Sequence, residues 1–272
     1  MTERSTALFY PISSGSCGNA IFVRCGTVSF LIDCGIASCR IRQGLDAIGE
    51  DPSNLAFILV THAHADHTSG IGVMARKYKT PIYASNGTWK GMRQDTRLGV
   101  IPLECQCSFY GDPEINELPQ NTKITAFSTP HDSPDSVGYR IEYEGRTAAV
   151  ATDLGYVSME VRSALCGADL VLLESNHDLD MLLNGYYPQK LKNRVSGNRG
   201  HLSNSDAGRL AAELVSRGTK LIYLGHLSHE NNTPQLAMET VQCELFRAGI
   251  DPKNDVRLLL ARRNEPSEAV YW

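Results

Sequence analysis

The apolar positions of this chain gather into short, β-rich blocks bounded by Gly, Ser, Asp and Pro, the spacing of strands rather than of long amphipathic helices. Three blocks open the sequence at 7–12, 20–25 and 28–33, separated by Gly- and Ser-rich turns, and consecutive strands predict an antiparallel start. A serine-capped helix over 38–48 leads to the strand Ala56-Phe57-Ile58-Leu59-Val60; a helix over 69–78 and a short strand over 81–84 follow. The stretch 86–120 offers a helix near Trp89 and then turn-rich sequence without a clear period. Strands resume at 123–128, 137–143 and 147–151. Thereafter strands alternate with helices: a strand at 170–173, a helical region through 191, a helix over 203–217, a strand at 221–224, a helix over 234–248 and a last strand near 256–260. A run of strands in each half, each followed by helices, predicts two sheets packed face to face with helices outside, a four-layer αββα sandwich of the α/β (α+β) class.

Length and composition narrow this picture only modestly. The 272 residues, 42% hydrophobic and 21% charged, suit an ordinary globular protein, and with no internal repeat or linker we expect one domain over 1–272. No apolar stretch has the length of a membrane span, and residues 1–16 lack the basic start and apolar block of a secretory signal. Eight scattered cysteines then suggest reduced thiols in a cytoplasmic protein; Cys105-Gln106-Cys107 is too tight for a zinc knuckle and is expected to be structural.

Candidate chemistry begins where the strand 56–60 ends. Thr61-His62-Ala63-His64-Ala65-Asp66-His67 places three imidazoles and a carboxylate within six residues. Loops at the C-terminal ends of buried strands are where α/β folds put their chemistry, and imidazole nitrogen with carboxylate oxygen suits zinc or another first-row divalent ion. Neighbouring loop residues point in different directions, so the quartet can serve two ions, which together clamp a phosphodiester or activate a water. The plain alternative is a histidine-rich surface turn. His131, Asp153 and His226 each follow a strand in the same way. Singly they would be ordinary turn or core residues; together they complete two coordination shells.

With Asp33 closing Phe30-Leu31-Ile32, these residues resemble the metallo-β-lactamase fold superfamily of metallohydrolases over most of the chain. The resemblance implies that His62, His64 and His131 hold one ion, Asp66, His67 and His226 the other, and Asp153 bridges both, with Asp33 orienting the site through hydrogen bonds. Three further patterns are similar to the bacterial YycJ (WalJ, VicX) branch, a relative of the β-CASP and tRNase Z nucleases: Leu172-Leu173-Glu174-Ser175-Asn176-His177-Asp178, Gly200-His201-Leu202-Ser203-Asn204 and Leu224-Gly225-His226-Leu227-Ser228. That branch implies a 5′ to 3′ DNA exonuclease, and the N/O donors themselves suit two Zn²⁺ or Mn²⁺ ions, Fe being a third option. Asp66, Glu174 and His201 are then the catalytic residues, with His201 protonating the leaving oxygen and Glu174 orienting it. Neither a separate β-CASP domain nor the long arm of tRNase Z is evident.

Charge enters here. A formal net charge of −4 gives no general attraction to nucleic acid, yet positions 181–205 hold no acidic residue while Lys190, Lys192, Arg194 and Arg199 are basic, with Tyr186 and Tyr187 upstream. The patch is either a solvated helix face or a set of phosphate contacts leading into His201. Ser13-Ser14-Gly15-Ser16-Cys17-Gly18-Asn19 lacks a P-loop lysine and is expected to be a hairpin turn. The competing functions are RNA processing, thioester or small-phosphodiester hydrolysis on the same metals, and a scaffold without catalysis, against which the intact ligand set speaks. A β-lactamase role does not suit a chain without an export signal.

Overall fold

The computed structural model of the chain describes residues 7–115 and 118–272. Residues 1–6, part of the segment inspected for a secretory signal, and residues 116 and 117 of the turn-rich stretch lie outside the described residues.

The first half lays down β1 (Ala7–Ser13), β2 (Ala20–Cys25), β3 (Val28–Ile32), α1 (Ser38–Asp46), β4 (Leu55–Leu59), α2 (Ala65–Thr68), α3 (Ile71–Tyr78), β5 (Ile82–Ser85), α4 (Asn86–Met92) and β6 (Gln106–Phe109). The second half contributes β7 (Thr122–Ser128), β8 (Val137–Tyr143), β9 (Arg146–Ala151), α5 (Met159–Leu165), β10 (Leu170–Glu174), α6 (Leu179–Asn184), α7 (Gln189–Val195), α8 (Asn204–Ser216), β11 (Leu221–Gly225), α9 (Pro234–Arg247), β12 (Arg257–Leu260) and β13 (Val270–Tyr271). One sheet runs β13-β1-β2-β3-β4-β5-β6 and the other β12-β11-β10-β9-β8-β7. Each begins with antiparallel pairs and continues in parallel, from β3 to β6 and from β9 to β12.

Alternate residues of each strand point to opposite faces, so strands buried on both faces must be apolar throughout. In β10, Leu170 and Leu172 enter the core between the sheets, beside Phe30, Phe57, Tyr139 and Tyr223. Val171 and Leu173 face outward into a second core with Leu165 of α5, Leu210 of α8 and Val241 of α9. On the opposite side Leu8, Phe22 and Ile58 pack against Ile41 and Leu45 of α1, Met74 of α3 and Trp89 of α4. Three cores separating four layers make the expected αββα sandwich.

Four elements were not anticipated: α2, which takes Asp66 and His67 out of the expected loop, and β6, β13 and α5. Ser38 was expected to cap α1, but it is the first helical residue, and Ala37, which precedes it, offers no side-chain cap. The region through 191 is two helices, α6 and α7, because Gly185 and Pro188 interrupt it.

Candidate metal centre

The candidate ligands follow the C-terminal ends of strands, Asp66 and His67 on the short helix α2, and the chain turns sharply at three such ends. Asp33 after β3, Asp153 after β9 and His226 after β11 have φ of 61°, 60° and 53°. The left-handed region is unfavourable for non-glycine residues, at a cost of about 1–3 kcal/mol each. Each departure directs a side chain across the sheet ends.

The donor atoms meet in two groups. Nδ1 of His64 lies 3.1 Å from Nε2 of His62 and 3.2 Å from Nε2 of His131. Donors about 2.0–2.1 Å from a tetrahedral ion stand about 3.3 Å apart, so this trio has the spacing of a zinc-sized site. In the second group Oδ2 of Asp66 lies 3.6 Å from Nε2 of His67 and 3.5 Å from Nε2 of His226. Asp153 stands between them: Oδ1 is 3.6 Å from Nε2 of His131, and Oδ2 is 3.3 Å from Nε2 of His67. This Oδ2 is buried without a hydrogen-bond partner, which suits a cation as its missing contact.

In three of the rings the far nitrogen is held by the protein, and at His67 the near one, Nε2, also lies 3.0 Å from Nδ2 of Asn19. Nδ1 of His67 donates to Oδ2 of Asp33 at 2.7 Å, Nδ1 of His131 to the carbonyl of Gly200 at 3.1 Å, and Nδ1 of His226 to Oε1 of Glu174 at 2.8 Å. Such contacts fix the tautomer and ring orientation of a metal-binding histidine. Asp33 also accepts from the backbone N–H of Thr61 at 2.8 Å and from its hydroxyl.

Charge balance in the centre points the same way. Burial lowers the pKa of His62 well below the ordinary imidazole range, with neighbouring histidines adding to it. At His67 burial acts in the same direction, but Asp33, Asp153 and Asp66 together overcome it and raise the pKa to about 9. At His226 burial is likewise outweighed, by Asp153, Asp66 and Glu174, and the pKa rises well above its usual value. Burial opposes ionisation of Asp153, yet His226, His67 and His131 hold its carboxyl below the usual range. The carboxylates demand positive charge here, and the donor set fits divalent cations.

Glu174 stands at the end of β10. It is fully buried, its Oε1 accepting from Nδ1 of both His201, at 2.9 Å, and His226, and its Oε2 from the N–H groups of Leu154 and Leu202, at 2.7 and 3.0 Å. Burial depresses the His201 pKa, but Glu174 outweighs it and the net shift is upward. His201 borders a cavity of about 330 Å³ together with His64, Asp66, Asp153 and His226. Ser203, two residues on, caps α8.

Of the four basic residues, Arg194 borders this cavity and donates from Nε to Oδ2 of Asp132 at 2.7 Å. Arg199 borders a different cavity, which has His131 in its wall. Lys190 and Lys192 line neither, and Nζ of Lys192 donates to the carbonyl of Leu183 at 2.6 Å. The Ser13 to Asn19 segment is a hairpin loop between β1 and β2, and Ser16 also borders the metal cavity. His229 is exposed beside Glu230, whereas His177 is buried with neither ring nitrogen partnered.

Three supporting residues went unnoticed in the sequence. Thr61 bonds Asp33; the Asn19 backbone N–H donates to the carbonyl of Asp66 at 2.7 Å; and Oδ1 of Asp132 lies 3.4 Å from Nε2 of His64. The available signal was adjacency, since Thr61 precedes His62 and Asp132 follows His131.

A family model described as a beta-lactamase superfamily domain matches residues 29–226, and the chain belongs to this superfamily. Among its relatives, "Exodeoxyribonuclease WalJ" of Streptococcus pneumoniae is 35% identical over 88% of this chain and 88% of its own length. "Exodeoxyribonuclease YycJ" of Bacillus anthracis is 34% identical over 89% and 90%. The metallo-β-lactamase fold protein YhfI of Bacillus subtilis superposes with a TM-score of 0.70 at 18% identity, covering 99% of this chain and 100% of that one. Among the described residues, no helix is long and apolar enough to cross a membrane.

Proposed function

We propose that this chain, as one hydrolase domain, is a two-metal DNA exonuclease of the cytoplasm that degrades linear strands from the 5′ end. The observation that supports it most is the pair of three-donor groups sharing Asp153, with the His201–Glu174 pair beside them. The relatives named exodeoxyribonuclease span nearly the whole chain and supply the substrate class.

His62, His64 and His131 would hold one ion, Asp66, His67 and His226 the other, with Asp153 between and Asp33 fixing His67. Zn²⁺ or Mn²⁺ suits these donors, as would iron. When bound, two such ions supply an acidified water and charge stabilisation at the phosphoryl oxygens. His201, whose pKa Glu174 raises, gives its proton to the departing sugar oxygen. Arg194, whose Nε is engaged by Asp132, keeps its two terminal nitrogens for a backbone phosphate.

The test is digestion of end-labelled linear duplex DNA, beside a closed circle and a labelled RNA, with added Mn²⁺ and Asp66→Ala as control. Loss of label from the 5′ end with the circle spared and the control inactive is expected. Intact DNA with cleaved RNA would move the assignment to RNA processing, and intact nucleic acids throughout to a small-molecule hydrolase.

A further inference from the structure

A second and larger cavity, of about 770 Å³, has the candidate ligand His131 in its wall, beside Asp132, whose Oδ1 lies 3.4 Å from Nε2 of His64. That volume lies within the roughly 300–1,000 Å³ of small-ligand sites. Its wall includes three carboxylates, Asp132, Asp135 and Glu160, and each is already engaged by the protein. Asp132 accepts from Arg194, Asp135 from the N–H of Gly87 at 2.7 Å, and Glu160 from the N–H of Ser128 at 2.8 Å. Tyr156, Asn198 and Arg199 line the same space, and their side chains make no hydrogen bond or ion pair among the described residues. Gly155 brings them together: a Cβ there would fall 2.2 Å from the carbonyl carbon of Asn198 and 2.5 Å from the nitrogen of Arg199. Tyr156 is 49% exposed.

We infer that this chamber receives one terminal nucleotide of the strand being cut, with Arg199 on its phosphate, Tyr156 stacked on its base and Asn198 within reach of its sugar or base edge. The three carboxylates make the chamber a dead end. A single arginine matches one phosphate, while a strand running on through would carry further phosphates past Asp135 and Glu160 and be repelled. Preference for ends over internal positions therefore resides in these carboxylates. This inference rests on the nuclease reading for its substrate class, but nucleotide binding can be measured without catalysis.

Calorimetric titration of the full chain with dTMP, thymidine and inorganic phosphate, with and without chelator, provides the test. Arg199→Ala should weaken dTMP and phosphate roughly tenfold and spare thymidine; Tyr156→Ala should weaken dTMP and thymidine roughly tenfold and spare phosphate. Variants that bind all three like the wild type, or dTMP binding abolished by chelator alone, would overturn the chamber. The double variant Asp135→Asn, Glu160→Gln keeps an oxygen for Gly87 and Ser128 and should begin to nick closed single-stranded circles. A double variant that still spares circles while linear strands are degraded overturns the dead end. A wild type that binds dTMP but leaves all DNA intact defeats the nuclease reading and not the nucleotide site.

Discussion

His201 and Glu174 carry the residue-scale argument. The acid must be protonated to act, and Glu174 raises its pKa, so activity should persist above pH 6.5 and fall as pH rises through the shifted value. His201→Ala should lower kcat about 10²- to 10⁴-fold with metal content retained, checked by steady-state kinetics and elemental analysis. Glu174→Gln removes the main upward influence and should move the alkaline limb to lower pH. A second pH effect has the opposite sign. His67, with its pKa near 9, and His226, also raised, must lose protons before either binds a cation, so metal affinity should climb with pH through about 9. Calorimetry in two buffers of different ionisation enthalpy should record proton release; uptake without release would remove His67 and His226 from the ligand set.

At the scale of elements, the site depends on how closely the loop after β3 approaches α2. Cys34 donates its N–H to the carbonyl of His67, and a Cβ on Gly35 would stand 1.6 Å from the carbonyl oxygen of Asp66. Gly35→Ala should displace Asp66 and His67, costing roughly 1–3 kcal/mol in stability and a larger share of metal content, measured by denaturant titration and metal analysis. Most elements were legible because both-face burial leaves unbroken apolar strings, as in Leu170-Val171-Leu172-Leu173. Gln106–Phe109 was hidden because an edge strand with half-buried Gln106 and Cys107 shows no period, and Val270–Tyr271 because two residues carry no pattern. Met159–Leu165 has a capping serine, yet its seven residues follow a strand-end loop closely enough to resemble its continuation. The quartet 62–67 was legible because its spacing is local. Asn19, 47 residues from Asp66, was not, because only the folded chain makes them neighbours.

For the whole molecule, burial sorts the thiols. Burial pushes the Cys25 thiol up to about 12, and burial with Asp33 pushes Cys34 up further, while Cys17, Cys39 and Cys243 are exposed. A thiol reagent at pH 8 should modify these three in the native protein and leave Cys25, Cys34 and Cys105 untouched until denaturation, as peptide mapping would reveal. Labelling of Cys25 under native conditions would contradict the packing between the sheets. One feature reaches across all three scales: a single carboxylate oxygen of Glu174 holds both His201 and His226. Proton delivery and cation retention thus have a common fastening, and neither can be retuned by altering that side chain without disturbing the other. Laboratory selection for a new working pH should therefore leave position 174 unchanged and accumulate its substitutions around the outer edge of the His201 ring.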